Sequence, residues 1–181
     1  MGSYLNPGNS GFSNMRNDVY VDKTEMISLI NQTINTPRNL TCISRPRRFG
    51  KSFAAKMLCA YYDKTCDSKE LFDDLKIAKD DEYLKYLNQY DVIYLDMASV
   101  LGVTSSEDAV SYVKRNITEE VLDIYSEVKE AEALFDTLAN LVTYTGNKII
   151  MIIDEWDAPI RGEWWKCRNP ERVSIIFTVI I

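Results

Sequence analysis

Apolar side chains recur along this chain in two rhythms, one helical and one strand-like. Ile27, Ile30 and Ile34 fall at intervals of three and four, which places them on one side of a helix that Thr24 can cap. Residues 39–44, "NLTCIS", form a short apolar run with β-branched members ahead of Pro46, the pattern of a buried strand. Residues 52–63 have helical composition, with Phe53, Met57 and Tyr61 four apart. "YDVIYLDM", residues 90–97, is a second buried strand. Val110, Val113, Ile117, Val121 and Ile124 then give a helix its apolar face, and Thr104 with Glu107 offers a capping-box start. Leu134, Leu138 and Leu141 repeat the helical spacing until Gly146 closes it. A third apolar run, residues 149–153, ends in Asp154 and Glu155. Ahead of all these, "NPGN" at 6–9 is a turn signal, and "VYVDK" at 19–23 is a short extended piece. Strands alternating with helices predict a parallel sheet flanked by helices, an α/β layer fold.

Composition narrows the chemistry. The 181 residues, 46% of them hydrophobic, suffice for one domain with its own core, without disulfides or metals to hold it. A net charge of -6 argues against a general electrostatic grip on nucleic acid. Any basic site is therefore local. Cys42, Cys59, Cys66 and Cys167 form no C-x-x-C pair and histidine is absent, which removes the usual zinc spacing and imidazole catalysis; the cysteines read as reduced structural thiols. The polar, turn-rich N-terminus is not a secretory signal, and no run approaches the ~20 apolar residues of a membrane span. The expectation is a cytoplasmic protein with no membrane partner.

The densest basic cluster, Arg45, Arg47, Arg48 and Lys51, lies between a predicted strand and a predicted helix, in "SRPRRFGKS". A phosphate-binding loop, G-x-x-x-x-G-K-[ST], needs that context, because its backbone N–H groups and the following helix N-terminus surround phosphate oxygens. Arg45 stands where the first glycine belongs, so the strict motif fails there. The spacing to Lys51 is kept, however, and Gly50 lets the backbone pass close to a phosphate. Arg45, preceding Pro46, is biased toward extended backbone. The candidate nucleotide-binding residues are thus Arg45, Pro46, Arg47, Arg48, Phe49, Gly50, Lys51 and Ser52. Lys51 meets the β/γ-phosphates and Ser52 ligates Mg²⁺. The competing reading is a solvated basic turn.

Asp154 and Glu155 supply the other half. Carboxylates at the carboxyl end of a buried strand lie at the sheet edge where open α/β folds bind nucleotides. In that role Asp154 holds the hydration shell of Mg²⁺ and Glu155 polarises the attacking water, so Lys51 and Glu155 are the catalytic candidates and Ser52 with Asp154 the metal ligands. Solvated acids at a strand end are the competing reading, but the two halves in this order are far more specific together than either alone.

The segments "YLNPGN", "YVDKT", "SRPRRFGKS", "YDVIYLDM" and "IIDEWDAPIR", in this order, resemble the AAA-ATPase-like domain proteins, a P-loop family, from Tyr4 to Arg161. The resemblance implies a P-loop NTPase fold, ATP and Mg²⁺ as cofactors, and arginine as a family trait at Arg45. It also implies that "YVDKT" packs near the adenine, making Tyr20, Asp22 and Lys23 candidates there, with core packing or a salt bridge as the alternative. Full-length relatives continue into more ATPase core and a nuclease-like region, through which a protein or nucleic-acid partner would act.

After Arg161 the likeness stops. Residues 162–181 carry adjacent tryptophans and a β-branched run where relatives have a polar linker and helix. The expected organisation is therefore an N-terminal part of a P-loop domain, 1–161, incomplete at its C-terminus, and a divergent tail, 162–181. A single inserted base near the Arg161–Gly162 junction would produce such a tail; a genuine tail would instead add a strand. Three functions remain open at this stage. They are a Mg²⁺-dependent ATPase, a nucleotide-operated switch or binding module with little hydrolysis, and a nucleic-acid or anion binder using Arg45, Arg47, Arg48 and Lys51.

Overall fold

A computed structural model of the chain describes residues 2–46, 50–158 and 173–180, with 44–46 and 173–180 described by backbone alone. The N-terminal arm passes through "NPGN", where Asn6 and Gly8 take φ of 52° and 76°, into helix α1 (Ser10–Arg16) and then α2 (Glu25–Asn31). Strand β1 (Leu40–Pro46) leads toward α3 (Lys51–Tyr62). Helix α4 (Lys69–Phe72), a 3-10 turn (Lys76–Lys79) and α5 (Tyr83–Tyr86) precede β2 (Asp91–Asp96). None of these three elements was expected from the sequence pattern, because a four-residue element is too short to display a period. Helices α6 (Met97–Leu101), α7 (Ala109–Ile124) and α8 (Leu134–Thr145) carry the chain to β3 (Ile149–Asp154), and β4 (Val173–Ile180) enters the sheet last.

The sheet order is β1-β4-β3-β2. β2 and β3 run parallel, in register from Asp91↔Ile149 to Asp96↔Asp154. β4 is antiparallel to both neighbours, pairing Thr178 with Thr41 on one side and with Ile152 on the other. The parallel sheet expected from the alternation of elements is present in the β2–β3 pair, and β4 adds an antiparallel strand to it. An apolar β-branched run can pair in either direction, so nothing in its side-chain pattern encodes the sense in which it enters a sheet.

Strand side chains alternate between two cores, as the two-residue repeat of a pleated strand requires. Val92, Ile150 and Ile152 face one cluster, where Phe12, Ile27, Ile30, Met57, Tyr61, Tyr62 and Phe72 are buried. Ile93, Leu95 and Ile149 face the other, built with Val113, Ile117 and Val121 of α7 and Leu138 and Leu141 of α8. Helices therefore cover both faces, which explains why β2 and β3 are apolar almost throughout. The free edge of β2 is covered by the N-terminal arm. Leu5 bridges Ile93, Tyr94 donates its N–H to the Tyr4 carbonyl at 2.8 Å, and the Glu120 carboxylate accepts from the N–H groups of Tyr4 and Leu5.

Two helix starts differ from expectation. The capping box at Thr104 and Glu107 does not form; α7 begins at Ala109 after Asp108, whose carboxylate accepts from the Ser105 hydroxyl at 2.8 Å. Thr24 precedes α2, but its hydroxyl donates to Asp22 Oδ1 and accepts from the Ile77 N–H, so it ties the helix to the 3-10 turn and does not cap it. Gly146 closes α8 at φ 71°, as its position suggested. Cys59 is buried, and that burial pushes its thiol well above the ordinary value, consistent with an inert structural role. Cys167 lies outside the described residues. Among the described residues no helix is long and apolar enough to cross a membrane.

Candidate functional site

β1 and β3 run in the same direction, both being antiparallel to β4, so their carboxyl ends meet at one edge of the sheet. That edge carries Asp96 and Asp154, directly paired by strand register, and beside it α3 begins. Gly50, the residue before α3, has φ 74° and ψ 37°. An L side chain is disfavoured in that left-handed conformation, so the glycine of "FGKS" is required by the turn that starts the helix. Lys51, the first residue of α3, is buried with 7% exposure. One residue further, the Ser52 hydroxyl lies beside the Asp154 carboxyl and favours its charged form, where α3 packs on β3. The two motif halves, a hundred residues apart in sequence, are thereby in contact.

Asp154 is 1% exposed. Burial raises its carboxyl above the ordinary value; the Ser52 hydroxyl and the Glu155 N–H oppose this, while Asp96 and the Glu155 side chain add to it. A buried carboxylate joined to a hydroxyl is a hard-oxygen set that suits Mg²⁺, which binds through few protein ligands and completes its shell with water and phosphate. Among the described residues no group of three or more His, Cys, Asp or Glu side chains stands close enough to hold a metal ion by itself. Glu155 follows with φ 54°, unusual for a non-glycine residue. Its N–H donates to Asp154 Oδ1 at 3.0 Å and its carbonyl accepts from Ala158 N–H at 2.8 Å. This turn bends the chain sharply out of the sheet just where the water-activating candidate stands.

Next to Gly50 opens a cleft of about 270 Å³ lined by Val19, Tyr20, Val21, Lys23, Gly50, Phe53, Ala54 and Met57. Val19, Val21 and Phe53 are more than half exposed. Phe53 keeps the four-residue spacing to Met57, but Met57 is buried while Phe53, at the helix N-terminus, is exposed and lines the cleft. Segment 19–23 divides its labour. The Tyr20 ring packs edge-on to Phe12 at 5.5 Å between centroids and its hydroxyl lies 3.5 Å from Met57 Sδ, which makes its contacts mainly those of core packing. Asp22 does not line the cleft. Its Oδ1 accepts from the Thr24 N–H and hydroxyl and its Oδ2 from the Lys76 N–H; burial opposes its charge, but these hydrogen bonds hold its carboxyl below the ordinary value. Lys23 does reach the loop, its Nζ standing 3.2 Å from the point a Gly50 Cβ would occupy.

Arg45 and Pro46 close β1, paired with Ser174 and Val173, and their side chains, like Arg47, Arg48 and Phe49 entirely, lie outside what is described. The extended backbone expected of Arg45 before proline is what the strand pairing shows. Sequence reasoning passed over Asp96. It ends an apolar run just as Asp154 does, which was a usable signal, although its carboxylate is engaged at the start of α6, accepting from Ala98 N–H and from the N–H and hydroxyl of Ser99. Tyr94, whose hydroxyl is pushed up by burial and by Asp154 and Asp96, was also missed; nothing local marks it. The apolar cleft walls had no signal either, because exposure is a tertiary property.

The sequence profile of a family described as "Predicted AAA-ATPase" matches residues 7–176. No curated protein and no solved structure matches the chain.

Proposed function

The chain belongs to the AAA-ATPase-like family of predicted AAA-ATPases, and from that premise we propose that it binds ATP with Mg²⁺ at the Gly50 edge of the sheet and hydrolyses it slowly. The contact between Ser52 and Asp154 carries this reading, because it joins the loop half and the acidic half of the motif in one place. The cleft supports it from the other side. Its apolar walls suit a base, and its Gly50 end suits the phosphates.

Each residue has a distinct task in this reading. The backbone N–H groups opening α3, with the helix dipole behind them, hold phosphate oxygens. Lys51 adds a charge-assisted contact to the β- and γ-phosphates. Ser52 and Asp154 are the residues that would hold Mg²⁺, which when bound neutralises phosphate charge. Glu155, past the strand end and released from the sheet by its left-handed turn, orients a water and accepts its proton. The alternative, a nucleotide-operated switch with no turnover, shares every binding residue and differs only in what Glu155 does. A nucleic-acid or anion binder acting through Arg45, Arg47, Arg48 and Lys51 is disfavoured by the net charge of -6 and leaves the acidic half without a use.

Calorimetry of Mg²⁺-ATP binding, followed by a phosphate-release assay, tests both steps. Lys51→Ala is expected to weaken binding by about 2–3 kcal/mol, roughly a hundredfold. Glu155→Gln is expected to bind almost as wild type while turnover drops by ~10² or more. No ATP binding to folded wild type, or unchanged binding in Lys51→Ala, overturns the site; turnover indifferent to Glu155→Gln returns Glu155 to a structural role.

A further inference from the structure

Lys23 lies outside the phosphate loop in sequence yet stands at the loop in space. Its Nζ occupies the side of Gly50 where any other residue would carry a side chain, 3.2 Å from the Cβ position. It is also the charged member of a cleft lining otherwise made of Val19, Tyr20, Val21, Gly50, Phe53, Ala54 and Met57. Among the described lining residues it is the one charged group, and in a pocket of that composition such a group fixes the orientation of the ligand.

The N-terminus of α3 presents the positive end of its dipole beside Gly50, and Lys51 is the first residue of that helix. An anion placed at Gly50 is therefore met by the dipole and by Lys23 Nζ together. The segment carrying Lys23 is held on both sides: Tyr20 by Phe12 and Met57, and Asp22 by Thr24 and Lys76. The root of the lysine is thereby fixed beside the loop. Resting on the nucleotide-binding reading above, we propose that Lys23 contacts the phosphate chain of the bound ligand, as a second cation delivered by segment 19–23, and that it does not serve the base.

The test is calorimetry in Mg²⁺ buffer with ATP, ADP, adenosine and tripolyphosphate as separate probes, on the full chain and its Lys23→Gln and Lys23→Arg variants. Lys23 is exposed, so both variants are expected to fold, and matched melting curves check this. Lys23→Gln is expected to lower affinity for ATP, ADP and tripolyphosphate about tenfold and to leave adenosine unchanged, with Lys23→Arg keeping most of the affinity. Unchanged ATP affinity in Lys23→Gln, or an equal loss for adenosine, overturns the proposal. The two readings separate cleanly. Wild type that binds tripolyphosphate through Lys23 but gains nothing from the nucleoside of ATP defeats the nucleotide reading and leaves the lysine's role standing. Wild type that binds ATP indifferently to Lys23→Gln does the reverse, and wild type that binds none of the four probes overturns both.

Discussion

Asp154 sets the energetic character of the site at the level of single residues. Its folded-state carboxyl is raised by burial above the value it has in the unfolded chain. The folded state therefore holds the proton more tightly than the unfolded state. Stability is then unaffected below the ordinary carboxylate value and falls as pH climbs through the folded value, so at neutral pH the charge works against folding. Asp154→Asn is expected to raise the melting temperature of the ligand-free protein at pH 7, to lose that advantage near pH 4, and to abolish any Mg²⁺-dependent stabilisation by nucleotide. Thermal unfolding across that pH range checks it; a variant less stable than wild type at pH 7 would mean the carboxylate is already compensated in the free protein. The left-handed Glu155 next to it, at φ 54°, adds about 1 kcal/mol of local strain of the kind that collects at functional sites.

Among the elements, β4 has the most consequence. β1 pairs only with β4 among the described strands, and β4 in turn pairs with β3. The strand leading into the phosphate loop is thus joined to the strand bearing Asp154 through residues 173–180. Thr178 has strand partners on both sides, Thr41 and Ile152. Proline there removes a ladder hydrogen bond from the middle of a sheet, so Thr178→Pro is expected to destabilise by about 3 kcal/mol or more, read from urea unfolding. An unchanged midpoint would show that the tail stands outside the sheet. The same experiment bears on the tail's origin, since an accidental reading frame has no reason to encode a strand on which the fold depends; the gene's nucleotide sequence answers that question directly.

Across the whole molecule, the end of the sheet away from the site is fastened by a buried polar knot. Asp91, fully buried, accepts from Asn6 Nδ2 at 2.8 Å and from Lys64 Nζ at 2.7 Å. Asn6 also exchanges hydrogen bonds with the backbone of Val92, through its own N–H and its Oδ1. Asp63, where α3 ends, accepts from Gly8 N–H at 2.6 Å and from the Thr65 N–H and hydroxyl. The N-terminal turn, the end of α3 and the start of β2 are locked together, which holds the far end of the helix whose near end forms the loop. Asp91→Ala leaves Lys64 and Asn6 without this partner and is expected to cost about 2–3 kcal/mol, because Lys64 keeps some contact with water. Removing the exposed Lys76–Glu25 pair should cost far less, because water and salt screen it. Chemical denaturation of the two variants side by side checks the contrast, and equal small losses would show that the knot contributes no more than a surface pair.

Much of this architecture was readable from local pattern. β2 and β3 are apolar runs because both their faces are buried, and the stripe of Val113, Ile117 and Val121 is a core face because helical geometry puts those positions together. Gly50-Lys51-Ser52 and Asp154-Glu155 were legible because their chemistry depends on adjacent residues at a strand or helix end. Local pattern was misleading at Phe53, Val110 and Ile124, which keep the apolar spacing yet are half or more exposed; spacing assigns a face but not what covers it. Four decisions belonged to tertiary structure alone. They are the direction of β4, the contact of Ser52 with Asp154, the division of segment 19–23 into packing at Tyr20, clamping at Asp22 and approach to the loop at Lys23, and the polar knot at Asn6, Asp63 and Asp91. Each depends on which distant segment arrives beside a residue, and hydrophobic periodicity specifies burial without specifying the neighbour.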